Sequence, residues 1–213
     1  MEVEANPVPL SAAARGMSEP PLAAGDGTAE AASLENALTR AQRGELAAFR
    51  ELIRTHQDIV YTLALRMLKV REDAEDLAQE VFVSVHHHLG EIVSEAHLLF
   101  WLRRTTCHRA IDRLRRRWLH PAVPLDTIAE TATPERDADP LLQRSLRALI
   151  ARLPPAARAV VLLRYQEDLD PPDIARTLGM PLNTVKSHLK RSLALLRRRC
   201  EELRLPISAG DAS

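Results

Sequence analysis

The chain has 213 residues, 46% of them hydrophobic, with 29 Lys and Arg against 29 Asp and Glu. That length suits one or two domains. No apolar run approaches the ~20 residues of a membrane helix, and the N-terminus lacks the pattern of a signal peptide, so we expect no membrane insertion and a cytoplasmic protein. Abundant Leu, Ala, Arg and Glu with scarce Gly favour an all-α fold.

The charges are segregated along the chain although they sum to zero. Residues 1–33 hold one basic and five acidic side chains, and residues 119–139 hold one basic and five acidic. Residues 34–118 hold 14 basic and 12 acidic, and residues 140–205 hold 13 basic and six acidic. Two basic regions separated by an acidic segment predict two contacts with a polyanion.

The helical period divides the chain into two units. Residues 1–33 have no sustained period and are expected to form a disordered N-terminal extension. Residues 34–118 and 140–205 are helical by their apolar spacing. Residues 119–139 read as a flexible acidic linker and residues 206–213 as a tail. The sequence therefore predicts two small helical domains.

Local signals mark where several helices begin and end. The first long apolar period runs to Val70, and a new helix starts at Arg71. Ser94 is predicted to cap a long helix. In the second unit Asp170 is a candidate N-cap, because a proline follows it at the first helical position.

The stretch Arg71 to His88 combines an acidic face with an apolar stripe. Asp73, Asp76 and Glu80 share one helical face because they are spaced by three and four residues. The apolar stripe consists of Leu77, Val81, Val85 and Leu89. Such a helix can be a solvated surface, a set of catalytic carboxylates, or a docking site for a basic partner. A di-metal carboxylate site is the weakest of these readings, because no Glu in the chain has a His three residues later.

The segment Pro172 to Arg191 has the pattern of a helix-turn-helix. Gly179 suits the sharp turn, where a positive φ favours glycine. Asn183 is predicted to cap the second helix, whose apolar stripe is Val185, Leu189, Leu193 and Leu196. The outward residues are polar and basic, which predicts a recognition helix in the DNA major groove. The alternative is an ordinary helical hairpin with a solvated basic face.

The sequence resembles the extracytoplasmic-function (ECF) group of sigma-70-type RNA polymerase sigma factors. Four segments carry the resemblance, in the family's order and spacing: REDAEDLAQEVF (Arg71 to Phe82), FWLRRTTCHRAIDRLRRR (Phe100 to Arg117), LPPAARAVVLLRY (Leu153 to Tyr165) and DIARTLGMPLNTVKSHLKRSLALLR (Asp173 to Arg197). Residues 34–118 are similar to sigma domain 2 and residues 140–205 to sigma domain 4.

The resemblance implies a sigma factor that binds core RNA polymerase, through the β′ clamp helices and the β flap, and recognises promoter DNA. It also implies strand opening, with unstacked bases captured by the loop Glu91 to Ala96, and regulation by an anti-sigma factor. The implied polymerase-binding residues are Asp73, Glu75, Asp76, Gln79, Glu80 and Phe82. The residues implied at the −10 element are Arg103, Arg104, His108, Arg109, Asp112, Arg113, Arg115 and Arg116. The residues implied at the −35 element are Asn183, Thr184, Lys186, Ser187, His188, Lys190 and Arg191.

Two positions depart from the family pattern. The family often has Asn where His108 stands and Arg where His188 stands. Both positions face DNA in the family, so the resemblance does not predict base preference.

The sequence predicts no catalytic residue, cofactor or metal. Three consecutive histidines, His86 to His88, point about 100° apart on a helix and do not converge on one ion. Cys107 and Cys200 are expected to be packing or surface residues. An enzyme that binds nucleotides would need a Gly-rich phosphate loop, which is lacking. The remaining alternative is a stand-alone helix-turn-helix regulator, which leaves the acidic docking segment without a role.

Overall fold

The computed structural model describes residues 37–119 and 140–202, and all regular secondary structure in these residues is helical. The predicted all-α fold is therefore confirmed. The predicted extension 1–33, the tail 206–213 and all but the first residue of the predicted linker lie outside the described residues. After a helical segment at 37–42, the helices are α1 (Leu46–Leu68), α2 (Arg71–His88), α3 (Glu95–Leu119), α4 (Pro140–Ala151), α5 (Pro155–Tyr165), α6 (Pro171–Leu178) and α7 (Leu182–Glu202), with a 3-10 turn at Leu89–Glu91 between α2 and α3.

The chain reverses between α1 and α2 at Lys69. This residue has a φ of 65°, in the left-handed region that often terminates helices. Its N–H donates to the carbonyl of Leu65 at 2.9 Å and closes the last turn of α1. The helix restart predicted at Arg71 is confirmed, and α2 packs against α1.

The first unit is a bundle of α1, α2 and α3 around an aliphatic core. The predicted stripe on α2 is confirmed, since Leu77, Val81, Val85 and Leu89 are all buried. The predicted cap of α3 is also confirmed, because the Ser94 hydroxyl accepts a hydrogen bond from the His97 N–H at 3.2 Å. None of the described helices is long and apolar enough to cross a membrane.

The second unit is organised around α5, whose residues from Ala157 to Leu163 are all buried. Helices α6 and α7 form the predicted helix-turn-helix. Gly179 closes α6 with a φ of 63°, as its position in the motif predicted. The next residue, Met180, donates its N–H to the carbonyl of Ala175 at 3.1 Å, which completes the helix end.

The predicted cap at Asn183 is wrong. Helix α7 already begins at Leu182, so Asn183 lies in its first turn. The carbonyl of Pro181 accepts the N–H groups of Thr184 at 2.9 Å and Val185 at 3.1 Å. A capping residue must precede the first helical turn, and the backbone of Pro181 takes that place here.

The two units pack on each other and share one hydrophobic core. Helices α5 and α6 lie against α3, and α4 and α5 lie against α1. Buried residues of α5, α6 and α7, among them Leu163, Ile174 and Val185, belong to the same apolar cluster as the core of the first unit. The units that the sequence separates therefore lie in direct contact in this structure.

A buried arginine joins the units. Arg158 on α5 is 5% exposed, and its guanidinium donates to the carbonyls of Met67 at the end of α1 and Ala151 at the end of α4. A third bond reaches the Leu153 carbonyl at 3.3 Å. Burial lowers the pKa of Arg158 to about 10, so it remains a cation at neutral pH. The C-terminal ends of helices carry partial negative charge, which makes the ends of α1 and α4 suitable partners for this cation.

We predict that Arg158→Ala destabilises the protein strongly. It removes the donors that reach three carbonyls at the unit boundary, and each buried unsatisfied carbonyl costs about 1–3 kcal/mol. We expect the free energy of unfolding, measured by urea denaturation, to fall by about 3 kcal/mol. Arg152→Ala, at an exposed position on the neighbouring turn, should change it by less than about 0.5 kcal/mol. A similar loss in both variants would contradict the assignment.

Candidate protein and nucleic-acid interfaces

The acidic residues of α2 form an exposed surface. Glu75, Asp76, Gln79 and Glu80 are exposed, whereas Asp73 is half-buried. The first of these acidic residues lie near the N-terminal end of α2, where the helix macrodipole favours negative charge. Phe82 is half-buried and packs against the core, so it supports this surface from beneath.

The carboxylates of this surface differ in their partners. Glu75 pairs with Arg71 at 2.8 Å, and Asp73 pairs with Arg117. Glu80 pairs with two arginines of α3. Within the described residues Asp76 makes no ion pair, so its carboxylate is available to a partner.

A shallow groove of about 460 Å³ runs along this surface. Its lining residues are Asp76, Gln79, Glu80, Val83, Ser84, His87 and Arg109. Val83 is 58% exposed, which is unusual for an aliphatic side chain in the middle of a helix. Val83 and His87 were not predicted as site residues. Val83 follows Gln79 by four residues and His87 follows Val83 by four, and this helical spacing is the signal that could have identified them.

The arginines of α3 divide into three groups, of which the first faces the second unit. Arg103 Nε lies 3.0 Å from Glu167 Oε2, with side chains 20% and 5% exposed. Arg104 Nη1 donates to the carbonyls of Arg176 at 3.2 Å and Thr177 at 3.3 Å. His108 is half-buried, and its Nε2 has no hydrogen-bond partner within the described residues. Burial lowers the pKa of His108, and the charge of Arg104 adds to that effect.

The second group faces the acids of α2. Arg109 and Arg113 reach the two carboxylate oxygens of Glu80 at 3.2 and 2.7 Å. Arg113 also donates to the backbone carbonyl of Asp73 at 2.8 Å. By resemblance, Glu80 and Asp73 were assigned to polymerase binding, and Arg109 and Arg113 to DNA binding. In the structure these two sets contact each other.

The third group lies at the C-terminal end of α3. Asp112, Arg115 and Arg116 are exposed. Their mutual contacts are long, with 3.9 Å between Arg115 Nη1 and Asp112 Oδ1. Of the residues assigned to the −10 element, these are the ones that the structure leaves open to solvent.

Helix α7, the second helix of the helix-turn-helix, presents a separate basic face. Asn183, Lys186, Ser187, Lys190 and Arg191 are exposed, while Thr184 and His188 are half-buried. Within the described part of the chain none of these seven side chains makes an ion pair. On the opposite face Val185, Ser192, Leu196 and Cys200 are buried.

The three histidines at the end of α2 have separate surroundings. His86 meets the edge of the Phe49 ring at 5.1 Å, and His87 lines the groove. His88 Nδ1 lies 2.8 Å from the Ser84 carbonyl oxygen. Over residues 37–119 and 140–202 no group of three His, Cys, Asp or Glu side chains is arranged to hold a metal ion.

The two cysteines are both buried. Burial is the main cause that raises the pKa of the Cys107 thiol to about 12. A thiol with such a pKa is nearly all protonated at neutral pH and is a poor nucleophile. Cys107 therefore acts as a packing residue in this arrangement.

Comparison with known proteins identifies the class. The model of "Sigma-70 region 2" matches residues 52–120, and the model of "Sigma-70, region 4" matches residues 143–196. An ECF RNA polymerase sigma factor of Mycobacterium tuberculosis, SigM, is 33% identical over 155 residues, which is 73% of this chain and 78% of the relative. The ECF sigma factor SigW of Bacillus subtilis is 26% identical over 185 residues, covering 80% of this chain and 98% of the relative.

A solved structure has the same fold. The sigma factor RpoE of Bartonella quintana, crystallised with the anti-sigma factor NepR, superposes with a TM-score of 0.60 at 18% identity, covering 75% of this chain and 98% of that one. The fold and the two sigma regions define an RNA polymerase sigma factor. The chain belongs to the ECF family of sigma-70-type sigma factors, as the resemblance of its motifs implied.

The buried His56 of α1 makes stability depend on pH. His56 is 4% exposed, and burial together with the charge of Arg103 lowers its pKa below the usual 6.5. The unfolded chain therefore binds more protons below about pH 6.5, and stability falls as the pH decreases through that range.

We predict that His56→Leu weakens this pH dependence. The substitution removes one titrating group, which changes the slope of unfolding free energy against pH by at most about 1.4 kcal/mol per pH unit. Urea denaturation at several values between about pH 7.5 and pH 5.5 measures both slopes. Equal slopes in the parent and the variant would contradict the role assigned to His56.

Proposed function

We propose that this sigma factor docks on core RNA polymerase, directs it to promoters with −10 and −35 elements, and promotes strand opening. The first unit binds the β′ clamp helices and acts at the −10 element. The second unit reads the −35 element and contacts the β flap. The observation that carries this proposal is the presence of an exposed acidic groove on α2 and an exposed basic face on α7 in one member of the family.

The groove on α2 suits a basic helical partner. Asp76 and Gln79 offer exposed polar groups. Val83, which lies between Gln79 and His87 along the groove, offers an apolar surface to the partner. Charge at such a surface speeds association and determines register, while the apolar centre contributes affinity. The β′ clamp helices are the partner that the family resemblance implies.

The face of α7 suits the major groove of DNA, which admits an α-helix. Asn183, Lys186 and Ser187 lie near the N-terminal end of the helix, the part of a recognition helix that contacts base edges. Lys190 and Arg191 follow one turn later and are placed to neutralise phosphates. Their lack of ion pairs within the described residues leaves these charges available for DNA.

The loop between α2 and α3 suits the capture of an unstacked base. Ile92 is buried and anchors the loop, whereas the next residue, Val93, is 81% exposed. The Val93 N–H donates to His97 Nδ1 at 3.3 Å, which holds the loop against α3. Extruding a base costs a few kcal/mol, which contacts within such a loop must offset. Arg115 and Arg116 lie further along α3 as exposed phosphate contacts.

Two further partners complete the proposal. Leu146 on α4 and Leu195 on α7 are partly exposed apolar residues of the second unit, and they offer a contact for the β flap. The RpoE relative was crystallised with an anti-sigma factor. We propose that an anti-sigma factor also binds this chain and holds it away from the polymerase.

We predict that Asp76→Lys reduces affinity for core polymerase at least about tenfold, because a like charge facing a basic partner costs several kcal/mol. Asp76 makes no ion pair within the described residues, so folding should be unaffected. Titration of fluorescently labelled protein with core polymerase measures the affinity. Asp58→Lys makes the same charge change at an exposed position on α1 and should bind as the parent does. Equal affinities of all three proteins would contradict docking through α2.

We predict that Lys186→Ala and Arg191→Ala weaken binding at the −35 element. Each lost phosphate contact lowers the slope of log affinity against log salt by about 0.9. Footprinting of the holoenzyme on a promoter, repeated at several salt concentrations, measures the effect. Arg152→Ala removes a cation from an exposed site outside α7 and should leave the −35 footprint unchanged. Intact footprints in both α7 variants would contradict the orientation of the recognition helix.

A further inference from the structure

We propose that Gln42 is a positioning residue for strand opening, and that its side-chain amide holds the loop between α2 and α3 in the form that captures an unstacked base. The inference rests on the proposed function, because it names a residue that prepares the same loop. Gln42 lies in the helical segment 37–42, which precedes residues 52–120, the part matched by the model of sigma-70 region 2.

The amide of Gln42 bonds to both ends of the turn that follows α2. Its Nε2 donates to the carbonyl of Leu89 at 2.9 Å and to the carbonyl of Ile92 at 2.7 Å. Leu89 begins the 3-10 turn, and Ile92 is the residue directly after it. An amide nitrogen carries two hydrogens, so one side chain satisfies both carbonyls. Carbonyls at the C-terminal end of a helix have no partner within that helix, and here a side chain remote in sequence provides it.

The segment that carries Gln42 is itself fixed in place. Ala37, Leu38 and Ala41 are buried and belong to the core of the first unit. The segment ends at Gly44, whose φ of 90° favours glycine and whose N–H donates to the carbonyl of Ala41 at 2.9 Å. A positioning residue acts best from a rigid element. Gln42 meets this condition, because three neighbours on its own segment are packed into the core.

Helix α3 holds the other side of the loop. His97 is 3% exposed, and its Nδ1 accepts the N–H of Val93 at 3.3 Å. The Ser94 hydroxyl accepts the N–H of His97 at 3.2 Å. The loop is therefore bonded to the segment 37–42 at Ile92 and to α3 at Val93. Val93 is 81% exposed between these attachments, so the loop presents an apolar side chain from a constrained backbone.

Such a constraint favours base capture. Extruding a base from the duplex is already costly, and a loop that had to be ordered at the same time would add to that cost. The Gln42 hydrogen bonds order the loop before DNA arrives. Gln42 is exposed, so its substitution leaves no cavity in the core. Loss of the two bonds should therefore affect the loop and not the fold.

The first measurement compares Gln42→Met with Gln57→Met in the full-length chain. Methionine has a similar length and no amide donors, and Gln57 is an exposed residue of α1 that receives the same change. Amide hydrogen exchange is followed in residues 89–97. We expect at least about fivefold faster exchange there in Gln42→Met, because two hydrogen bonds are lost, and parent rates in Gln57→Met. Parent rates in both variants would overturn the assignment.

The second measurement uses the holoenzyme, with the full-length chain bound to core polymerase. Its affinity is measured for promoters whose −10 region is already unpaired, each lacking one base of the non-template strand. In the parent we expect one position at which removal of the base lowers affinity at least about fivefold, the size of a typical stacking contact. In Gln42→Met the loss at that position should fall below about twofold, because the loop must first be ordered to bind the base.

Two outcomes of the second measurement would overturn the role of Gln42. One is a loss at the same position and of the same size in Gln42→Met and the parent. The other is a Gln42→Met holoenzyme that binds every promoter more weakly by one common factor and keeps the dependence on that base, as a general structural defect would cause. A parent that depends on no base would instead overturn the capture of a base in the proposed function. The exchange rates still judge whether Gln42 orders the loop.

Discussion

The packing of both units on α3 is the constraint on which the other interfaces depend. The apolar stripe of α3 completes the core of the first unit. A neighbouring face of α3 packs against α5 and α6 of the second unit. Once these faces are covered, the position of each arginine around α3 determines whether it contacts another element or solvent. Arg103 and Arg104 meet the second unit, Arg109 and Arg113 meet Glu80, and Arg115 and Arg116 remain at the open end. One helix therefore contributes to the core and also contacts the acidic surface of α2 and the second unit.

Charge pairing within the first unit selects the groups that remain for partners. Glu80 is held by two arginines, whereas Asp76 and Gln79 on the same face are exposed and make no ion pair within the described residues. Exposed ion pairs contribute little to stability, typically about 0–1 kcal/mol. Their main effect here is positional, because they hold Arg109 and Glu80 along one side of the groove. The groove is thus acidic at one end and apolar at Val83.

Much of the fold followed from local sequence signals. The stripe from Leu77 to Leu89, the cap at Ser94 and the turn at Gly179 were predicted, because apolar spacing and backbone conformation depend on a few neighbouring residues. Asn183 was wrongly predicted as a cap because the helix begins one residue before it, and the Pro181 carbonyl accepts the first N–H groups of α7. Val83 and Glu167 were missed. An apolar residue on α2 suggests a core position, although the spacing of Val83 from Gln79 places it on the exposed face. Glu167 pairs with an arginine 64 residues away, which no local pattern indicates.

The sequence by itself determined the helical class, the family with its two sigma regions, and the separate acidic and basic segments. These properties depend on residue spacing and composition, and not on the contacts between helices. Only the tertiary structure decided which charges are paired and which are open. Arg103 and Arg115 cannot be distinguished by sequence pattern. In the structure Arg103 forms a largely buried ion pair, whereas Arg115 is exposed. Ion pairing depends on distances of a few ångströms between elements remote in sequence, and folding alone brings those elements together.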